Sequence, residues 1–170
     1  MATTNNPQAS AGTAAISLPT FKRVPQQGRH DDTFAVIATI AGKTLQEVFQ
    51  QAEAFGLPKI GPYYAWIDGD LIAKLLAHYG WVSTVWKECS GVKDLPDLGL
   101  AIAMISYDEV FEVGRNVLIV RQKGPDGKVI QYAIDPYLHA DAKLHLRTEL
   151  AGLEPSWYIG VTPMNKSTAK

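Results

Sequence analysis

The sequence is poor in several features that mark common classes of protein. Cys89 is the single cysteine among 170 residues, so the chain cannot form a disulfide with itself. The net charge is −1, and no run of basic residues is interleaved with aromatic ones, so nothing indicates a nucleic-acid-binding surface. The longest apolar runs, such as residues 98–105, are far too short to cross a bilayer as a helix. We therefore predict no nucleic-acid partner and no membrane partner.

Signals for transport and for common enzyme chemistries are also missing. Residues 1–15 have neither a basic stretch nor a leucine-rich core, so they do not form a secretory signal. The simplest interpretation is a reducing, cytoplasmic setting, with export by a route that the sequence does not reveal as the alternative. The sequence contains no phosphate-binding glycine loop, no G-x-S-x-G elbow and no H-E-x-x-H motif. We accordingly expect no cofactor and no bound metal.

The composition predicts one folded domain between two disordered ends. Residues 1–18 and residues 165–170 bury too little apolar surface to order their backbones, so we predict a disordered leader and a flexible tail. Between them, residues 19–164 are long enough for a single domain. Because 46% of the whole chain is hydrophobic, that domain has material for a substantial core.

Hydrophobic periodicity predicts three helices in the first half of the chain. Residues 34–41 are almost entirely apolar and end at Gly42, which is typical of a helix buried on all sides. Thr44 is suited to cap a second, amphipathic helix over residues 45–55. A third helix is predicted over residues 71–78, after a cluster of capping residues.

After the third helix the pattern changes to the alternation that is typical of strands. Gly124-Pro125-Asp126-Gly127 is a strong hairpin-turn signal between two of the predicted strands. The predicted strands cover residues 81–86, 98–105, 117–121, 129–134 and 157–161. Helices followed by an antiparallel sheet define the α+β class, which is our predicted fold class.

Residues 26–42 and residues 114–136 contain two motifs that together resemble those of the papain-like cysteine peptidases. Residues 26–42 resemble the start of the catalytic helix in that superfamily, with Gln26 six residues before the nucleophile position. The similarity is closest to bacteriocin-processing peptidases, the domains that front certain bacterial peptide exporters, in which the motif is Asp-Cys-Gly before an Ala-rich helix. The second motif, Gly114-Arg115-Asn116 followed by an apolar strand, a hairpin turn and Asp135-Pro136, resembles their Gly-His-aromatic strand and Asp-Pro. The resemblance covers residues 24–162 and implies a papain-like fold.

Carried over by position, the resemblance implies a degenerate catalytic site. Gln26 matches the oxyanion donor, Asp32 the nucleophile, Asn116 the general base and Asp135 the residue that orients the base, while Thr33 replaces the usual glycine. A carboxylate is a weak nucleophile towards an amide, and an asparagine amide does not transfer protons near neutral pH. Removal of members of a catalytic triad lowers the rate of hydrolases by a factor on the order of 10⁴ to 10⁶. We therefore expect no peptidase activity, and a binding cleft formed by these five residues.

Each of these positions also has a simpler structural interpretation. Asp32 is an excellent helix N-cap, which contributes roughly 1 kcal/mol, and Asn116 is suited to bridging strand backbones. His30 is either a substitute for the missing imidazole or an ordinary loop histidine. Cys89 is either a free structural thiol or a relocated nucleophile, and the absence of a framed histidine favours the thiol.

Weaker candidates involve metals and aromatic residues. Asp32 and Asp135 across Asn116 form a conceivable site for a hard cation. Three residues near the C-terminal third have loose metal-like spacing: His139, Asp141 and His145. Three aromatic residues either line a groove or belong to the core: Tyr63, Tyr64 and Trp66.

Three functions are compatible with the sequence. The first is a non-catalytic papain-like module that holds a peptide or protein segment in the former active-site cleft. The second is an enzyme of altered chemistry in which Asp32 acts as a base or metal ligand with Asp135 and His30. The third is a secreted effector or interaction protein. The sequence leaves the oligomeric state open.

Overall fold

Along the chain, the helices precede the strands of the sheet, in the order that the hydrophobic pattern predicts. The computed structural model describes residues 20–61 and 67–164. The predicted leader and tail, and the aromatic residues at positions 63, 64 and 66, lie outside the described residues. Within the described part, three α-helices pack against a seven-stranded antiparallel sheet, which confirms the α+β class.

Helix α1 (Asp32–Ala41) is the central helix. All of its residues up to Ile40 are buried, as expected for a helix that is apolar on every side. It ends at Gly42, whose φ of 65° is the left-handed conformation that glycine adopts without strain. Thr39 also joins this helix to the preceding segment, because its Oγ1 accepts a hydrogen bond from the Val24 N–H at 3.0 Å.

The other two helices have the caps that the sequence predicts. Helix α2 (Leu45–Ala54) begins with a capping box in which Thr44 and Glu47 each accept a backbone N–H from the other. Helix α3 (Gly69–His78) is capped by Asp68, whose Oδ1 accepts a hydrogen bond from the Leu71 N–H at 2.8 Å. Both helices bury one apolar face, as an amphipathic pattern requires.

Five of the seven strands lie at the predicted positions, with some differences in length, whereas the two-residue strands at residues 87–88 and 146–147 were not predicted. They are β1 (Trp81–Ser83), β2 (Lys87–Glu88), β3 (Gly99–Asp108), β4 (Val113–Lys123), β5 (Val129–Ile134), β6 (Leu146–Arg147) and β7 (Trp157–Pro163). Their order in the sheet is β1-β7-β3-β4-β5-β6, and β2 also pairs with β7. The last strand of the chain therefore lies between the first and the third.

The two long hairpins at the centre set the register of the sheet. Strand β4 pairs with β3 through Ala103↔Val117 and with β5 through Leu118↔Ile134. The predicted turn at residues 124–127 closes the β4–β5 hairpin, with a hydrogen bond of 2.7 Å from the Gly124 N–H to the Lys128 carbonyl. Because β4 is longer than β5, residues 113–117 of β4 lie outside the β4–β5 register in the described structure.

The alternation of side chains along the strands produces a core on each face of the sheet. On the first face, the strand residues Leu100, Ile102, Leu118, Val120, Ile134, Ile159 and Val161 pack against the three helices. On the second face, Ala101, Ala103, Ile105, Val117, Ile119 and Ala133 pack against Leu95, Leu150 and Leu153 from two loops. Arg121 fastens the first of these loops, because its guanidinium donates to the carbonyls of Val92, Leu95 and Pro96.

The segment before α1 is fastened to the end of β5. The Gln26 N–H donates to the Pro136 carbonyl at 2.9 Å, and the Arg23 guanidinium donates to the carbonyls of Asp135 and Tyr137. These bonds hold the start of α1 beside the sheet, which positions the candidate site. Across residues 20–61 and 67–164, no helix is both long and apolar enough to traverse a lipid bilayer.

Candidate functional site

The start of α1 meets strand β4 at the two positions where the resemblance places the nucleophile and the base. The Asp32 carboxylate accepts a hydrogen bond from the Asn116 backbone N–H, with 2.5 Å between Oδ2 and N. The Asn116 side chain in turn donates from Nδ2 to the Thr33 hydroxyl at 2.9 Å. Residues 84 positions apart in the chain are therefore in direct contact, and all three are buried.

The contact follows from the unequal lengths of the strands. Asn116 lies outside the β4–β5 register, so its N–H is available to a side chain from the helix layer. The helix begins at Asp32 itself, and the N-cap position belongs to Asp31, which makes no side-chain cap. The interpretation of Asp32 as an N-cap is therefore wrong: its carboxylate caps a strand N–H instead. Asp31 binds the Gly28 N–H in the preceding loop.

Burial controls the electrostatics of Asp32. The residue is 8% exposed, and loss of solvation raises the pKa of its carboxyl above the ordinary value. Hydrogen bonds from Asn116 and the attraction of His30 act in the opposite direction, but burial is the larger effect on this pKa. His30 is thus close enough to influence the carboxylate, as the enzyme hypothesis requires.

Gln26 is buried beside the site, but its side chain is committed to its own loop. One N–H of its Nε2 donates to the Gly28 carbonyl at 2.9 Å. Its Oε1 is buried without a hydrogen-bond partner within the described residues. The contact that the structure gives to this side chain is thus within the loop before α1, and the oxyanion role stays what the resemblance implies.

Asp135 binds Arg115 and not Asn116. Arg115 Nη1 lies 2.6 Å from both carboxylate oxygens of Asp135, and the Tyr137 N–H donates to the same carboxylate at 2.9 Å. Adjacent residues of a strand project from opposite faces, so Arg115 points to the second face while Asn116 points to the helices. Within the described residues no hydrogen bond joins Asp135 to Asn116, so the orienting role that the resemblance implies is not found.

A cavity of about 140 Å³ opens beside the Asp32–Asn116 contact. Asp32, Thr33 and Asn116 form part of its wall, whereas Gln26 and Asp135 do not line it. The remaining lining residues are His30, Ile67, Trp86, Met104, Glu112, Val113 and Gly114. Apart from His30 and Gly114, sequence reasoning did not connect these residues with the site. The other lining residues come from separate strands and loops. Only His30 and Gly114 lie close in sequence to predicted site residues, namely two positions before Asp32 and Asn116.

Cys89 has the environment of a structural thiol. Its Sγ donates a hydrogen bond to the Pro155 carbonyl at 3.2 Å, and it packs against the core on the second face. Burial raises the pKa of this thiol, whereas a cysteine nucleophile requires a lowered pKa. The geometry therefore favours the structural interpretation over a relocated nucleophile.

The residues of the loose metal-like motif make separate local contacts. His139 stacks edge-on against Tyr137, Asp141 accepts the Lys143 N–H, and His145 bonds to the Ala140 carbonyl. Among the described residues, no group of three or more His, Cys, Asp or Glu side chains is arranged to hold a metal ion. Within that part of the chain, neither the motif of His139, Asp141 and His145 nor the pair of Asp32 and Asp135 therefore belongs to such a group.

Comparison with protein-family models and with curated protein sequences found no match for this chain.

Proposed function

We propose that residues 19–164 form a papain-like domain without peptidase activity, which binds a segment of peptide or protein in the cleft beside Asp32. The observation that carries the proposal is the direct contact between Asp32 at the start of α1 and Asn116 on β4, at the wall of a cavity. A helix start facing a strand at these two positions is what the resemblance implies. The proposal includes the reducing, cytoplasmic setting that suits the free thiol of Cys89.

The chemistry of the contact supports binding without cleavage. The carboxylate of Asp32 accepts the Asn116 N–H, and the Asn116 side-chain amide is bonded to Thr33. The side chains at the nucleophile and base positions are thus both engaged in hydrogen bonds: Asp32 with the backbone of Asn116, and Asn116 with Thr33. Neither is a thiolate or an imidazole, so amide hydrolysis by the papain mechanism has no nucleophile and no proton carrier.

The shape of the cleft supports a peptide ligand. Residues 113–117 of β4 lie outside the β4–β5 register, so apart from the Asn116 N–H, which Asp32 accepts, this stretch offers backbone groups to an added extended segment. Val113, Gly114 and Asn116 from this stretch also line the cavity. At the tip of the β3–β4 hairpin, Val110 and Phe111 are 84% and 73% exposed, and they offer apolar contacts to a bound chain.

A peptide array tests the proposal directly. The protein is incubated with short synthetic peptides, and those retained are measured by fluorescence anisotropy and then analysed by mass spectrometry. We expect saturable binding with every peptide intact. Val113→Trp, which narrows the cavity, is expected to weaken binding roughly tenfold or more, because the larger side chain occupies space that the bound segment needs.

The control for this experiment is Val129→Trp, a matched change on the exposed start of β5 that does not line the cavity. It is expected to bind like the wild type. Equal affinity of the two tryptophan variants, or no retained peptide at all, would refute the proposed binding cleft.

One observation favours the second candidate, an enzyme of altered chemistry. Burial raises the pKa of Asp32 beside His30, and a raised carboxyl pKa is a feature of general acids and bases. This candidate requires turnover of a peptide or ester that disappears in Asp32→Asn. Intact peptides in the array experiment, together with no ester hydrolysis, would exclude it in favour of binding.

A further inference from the structure

The cavity beside Asp32 is lined by two acidic residues, one buried and one exposed. Asp32 lies in its wall with 8% of its surface exposed, and Glu112 lines it from the exposed end of the β3–β4 hairpin. Within the described part of the chain, the lining contains no lysine and no arginine. His30 attracts Asp32 from the same wall, whereas Glu112 has no ion-pair partner among the described residues. Among the described residues, Glu112 is therefore an acidic group of the cavity lining that has no counter-charge.

A second, independent feature is an unused hydrogen-bond acceptor. Asn116 is 5% exposed and lines the cavity, and its Oδ1 has no donor among the described residues. Buried acceptors are nearly always paired in folded proteins, so an orphaned one calls for a partner. A ligand that brings an N–H group supplies that partner.

The remaining walls and the volume limit the size of the ligand group. Ile67, Trp86, Met104 and Val113 give the cavity an apolar lining that suits a chain of methylene groups. The cavity of about 140 Å³ is well below the roughly 300–1,000 Å³ of pockets that enclose whole small molecules. It resembles in size an engineered cavity of about 150 Å³ that holds one benzene. It accordingly accommodates a single side chain.

We propose that this cavity receives one basic side chain, of the lysine or arginine type, from the bound segment. The methylene stem lies against Trp86 and Met104, and the cationic head reaches the carboxylates of Asp32 and Glu112. Its N–H groups supply the donor that Asn116 Oδ1 lacks, and the ring of Trp86 adds a cation–π contact. The inference rests on the proposed function, because the basic side chain is taken to belong to the peptide segment that the cleft binds.

Two small amides test the cavity without a peptide. Nα-acetyl-lysine amide and Nα-acetyl-norleucine amide have similar stems, but only lysine has the ammonium group. Titration of each into the full chain, followed by NMR of the backbone amides, is expected to show lysine binding roughly tenfold or more tighter. The shifted signals are expected at cavity residues. Equal binding of the two amides, or tighter binding of norleucine, would overturn the inference.

A matched pair of variants tests whether the preference for the lysine amide over the norleucine amide depends on Glu112 in the cavity. Glu112→Gln is expected to reduce the lysine preference several-fold, because it removes the unpaired charge from the cavity lining. Glu109→Gln, on the same hairpin but not lining the cavity, is expected to retain the preference. An equal loss of preference in both variants would indicate general attraction to the acidic hairpin and would contradict the inference.

The outcomes separate the inference from the proposed function. Peptides that bind the cleft with no preference for lysine over norleucine would refute the inference alone. Failure of every peptide, with the lysine amide still preferred at the cavity, would refute the proposed peptide cleft and leave the basic-group site supported.

Discussion

Asp32 serves the fold as well as the candidate site. Its carboxylate accepts an N–H of β4 that the β4–β5 ladder does not use, and this joins the central helix to the sheet. The cost is the burial of a carboxylate, which raises its pKa. These opposing effects are separable by substitution, because asparagine keeps an acceptor oxygen and alanine does not.

Asp32→Asn is expected to be more stable than Asp32→Ala by about 1–3 kcal/mol, since alanine leaves the buried Asn116 N–H without an acceptor. Both variants remove the charge, so their difference isolates the hydrogen bond. Urea unfolding followed by circular dichroism gives the free energy of unfolding of each variant. Equal values for the two variants would show that the Asn116 N–H does not depend on this side chain.

The raised pKa of Asp32 also sets the sign of a pH effect. The folded chain holds this proton more tightly than the unfolded chain, so its stabilising effect is full below the ordinary pKa of 3.8. The effect is lost as pH rises through the raised pKa. Asp32→Asn has no such proton, and its stability relative to the wild type is therefore expected to increase over that window. Urea unfolding at a series of pH values measures this difference, and a relative stability that falls with pH would contradict it.

At the scale of single elements, the three helices begin in different ways. Helices α2 and α3 have side-chain caps from Thr44 and Asp68, which lie immediately before the helical periodicity and were predictable from local sequence. Helix α1 has no side-chain cap, although Asp31 occupies the cap position. Its start is held by tertiary contacts, so rules derived from local sequence do not apply there.

Thr44→Ala is expected to lower the free energy of unfolding by about 1 kcal/mol, because it removes the side chain that accepts the Glu47 N–H at the start of α2. For a domain of this size the melting temperature should fall by roughly 2–4 °C. Thr148→Ala serves as the control, since Thr148 is exposed in a loop. Thermal unfolding by circular dichroism compares the two, and an equal fall in both would argue against the capping box.

At the scale of the whole molecule, two cores share one sheet. Strands β3 and β4 contribute alternate residues to the core under the helices and to the core under the loops. Loss of packing on either face therefore weakens strands that the other face also needs. This arrangement predicts that the described domain unfolds in a single cooperative step.

Leu75→Ala in the first core and Ile119→Ala in the second are each expected to cost about 2–5 kcal/mol, since both side chains are buried and leave cavities. Unfolding in urea is followed by tryptophan fluorescence and by far-UV circular dichroism. The two signals are expected to coincide in each variant, with the same slope as in the wild type. Separate transitions in either variant would show that the two faces unfold independently.

The sequence alone was sufficient for the α+β class, the three helices and the five longer strands, but it did not indicate the two-residue strands β2 and β6. Apolar period, caps and turn residues are local properties, so the three helices and the central hairpin lie where the pattern predicted them. The pairing of Asp32 with Asn116 was also expected, from the order of two motifs. The papain-like relationship that suggested this pairing stays a prediction.

Only the tertiary structure decided which side chains share a site. The Asp135 carboxylate, one residue beyond β5, binds Arg115 and not its neighbour Asn116, and this choice depends on how the ends of β4 and β5 come together. The position of β7 between β1 and β3, and the assembly of the cavity from His30, Trp86 and Glu112, depend on contacts between distant parts of the chain. Local patterns specify periodicity and caps, but register and cavity shape result from packing many elements at once.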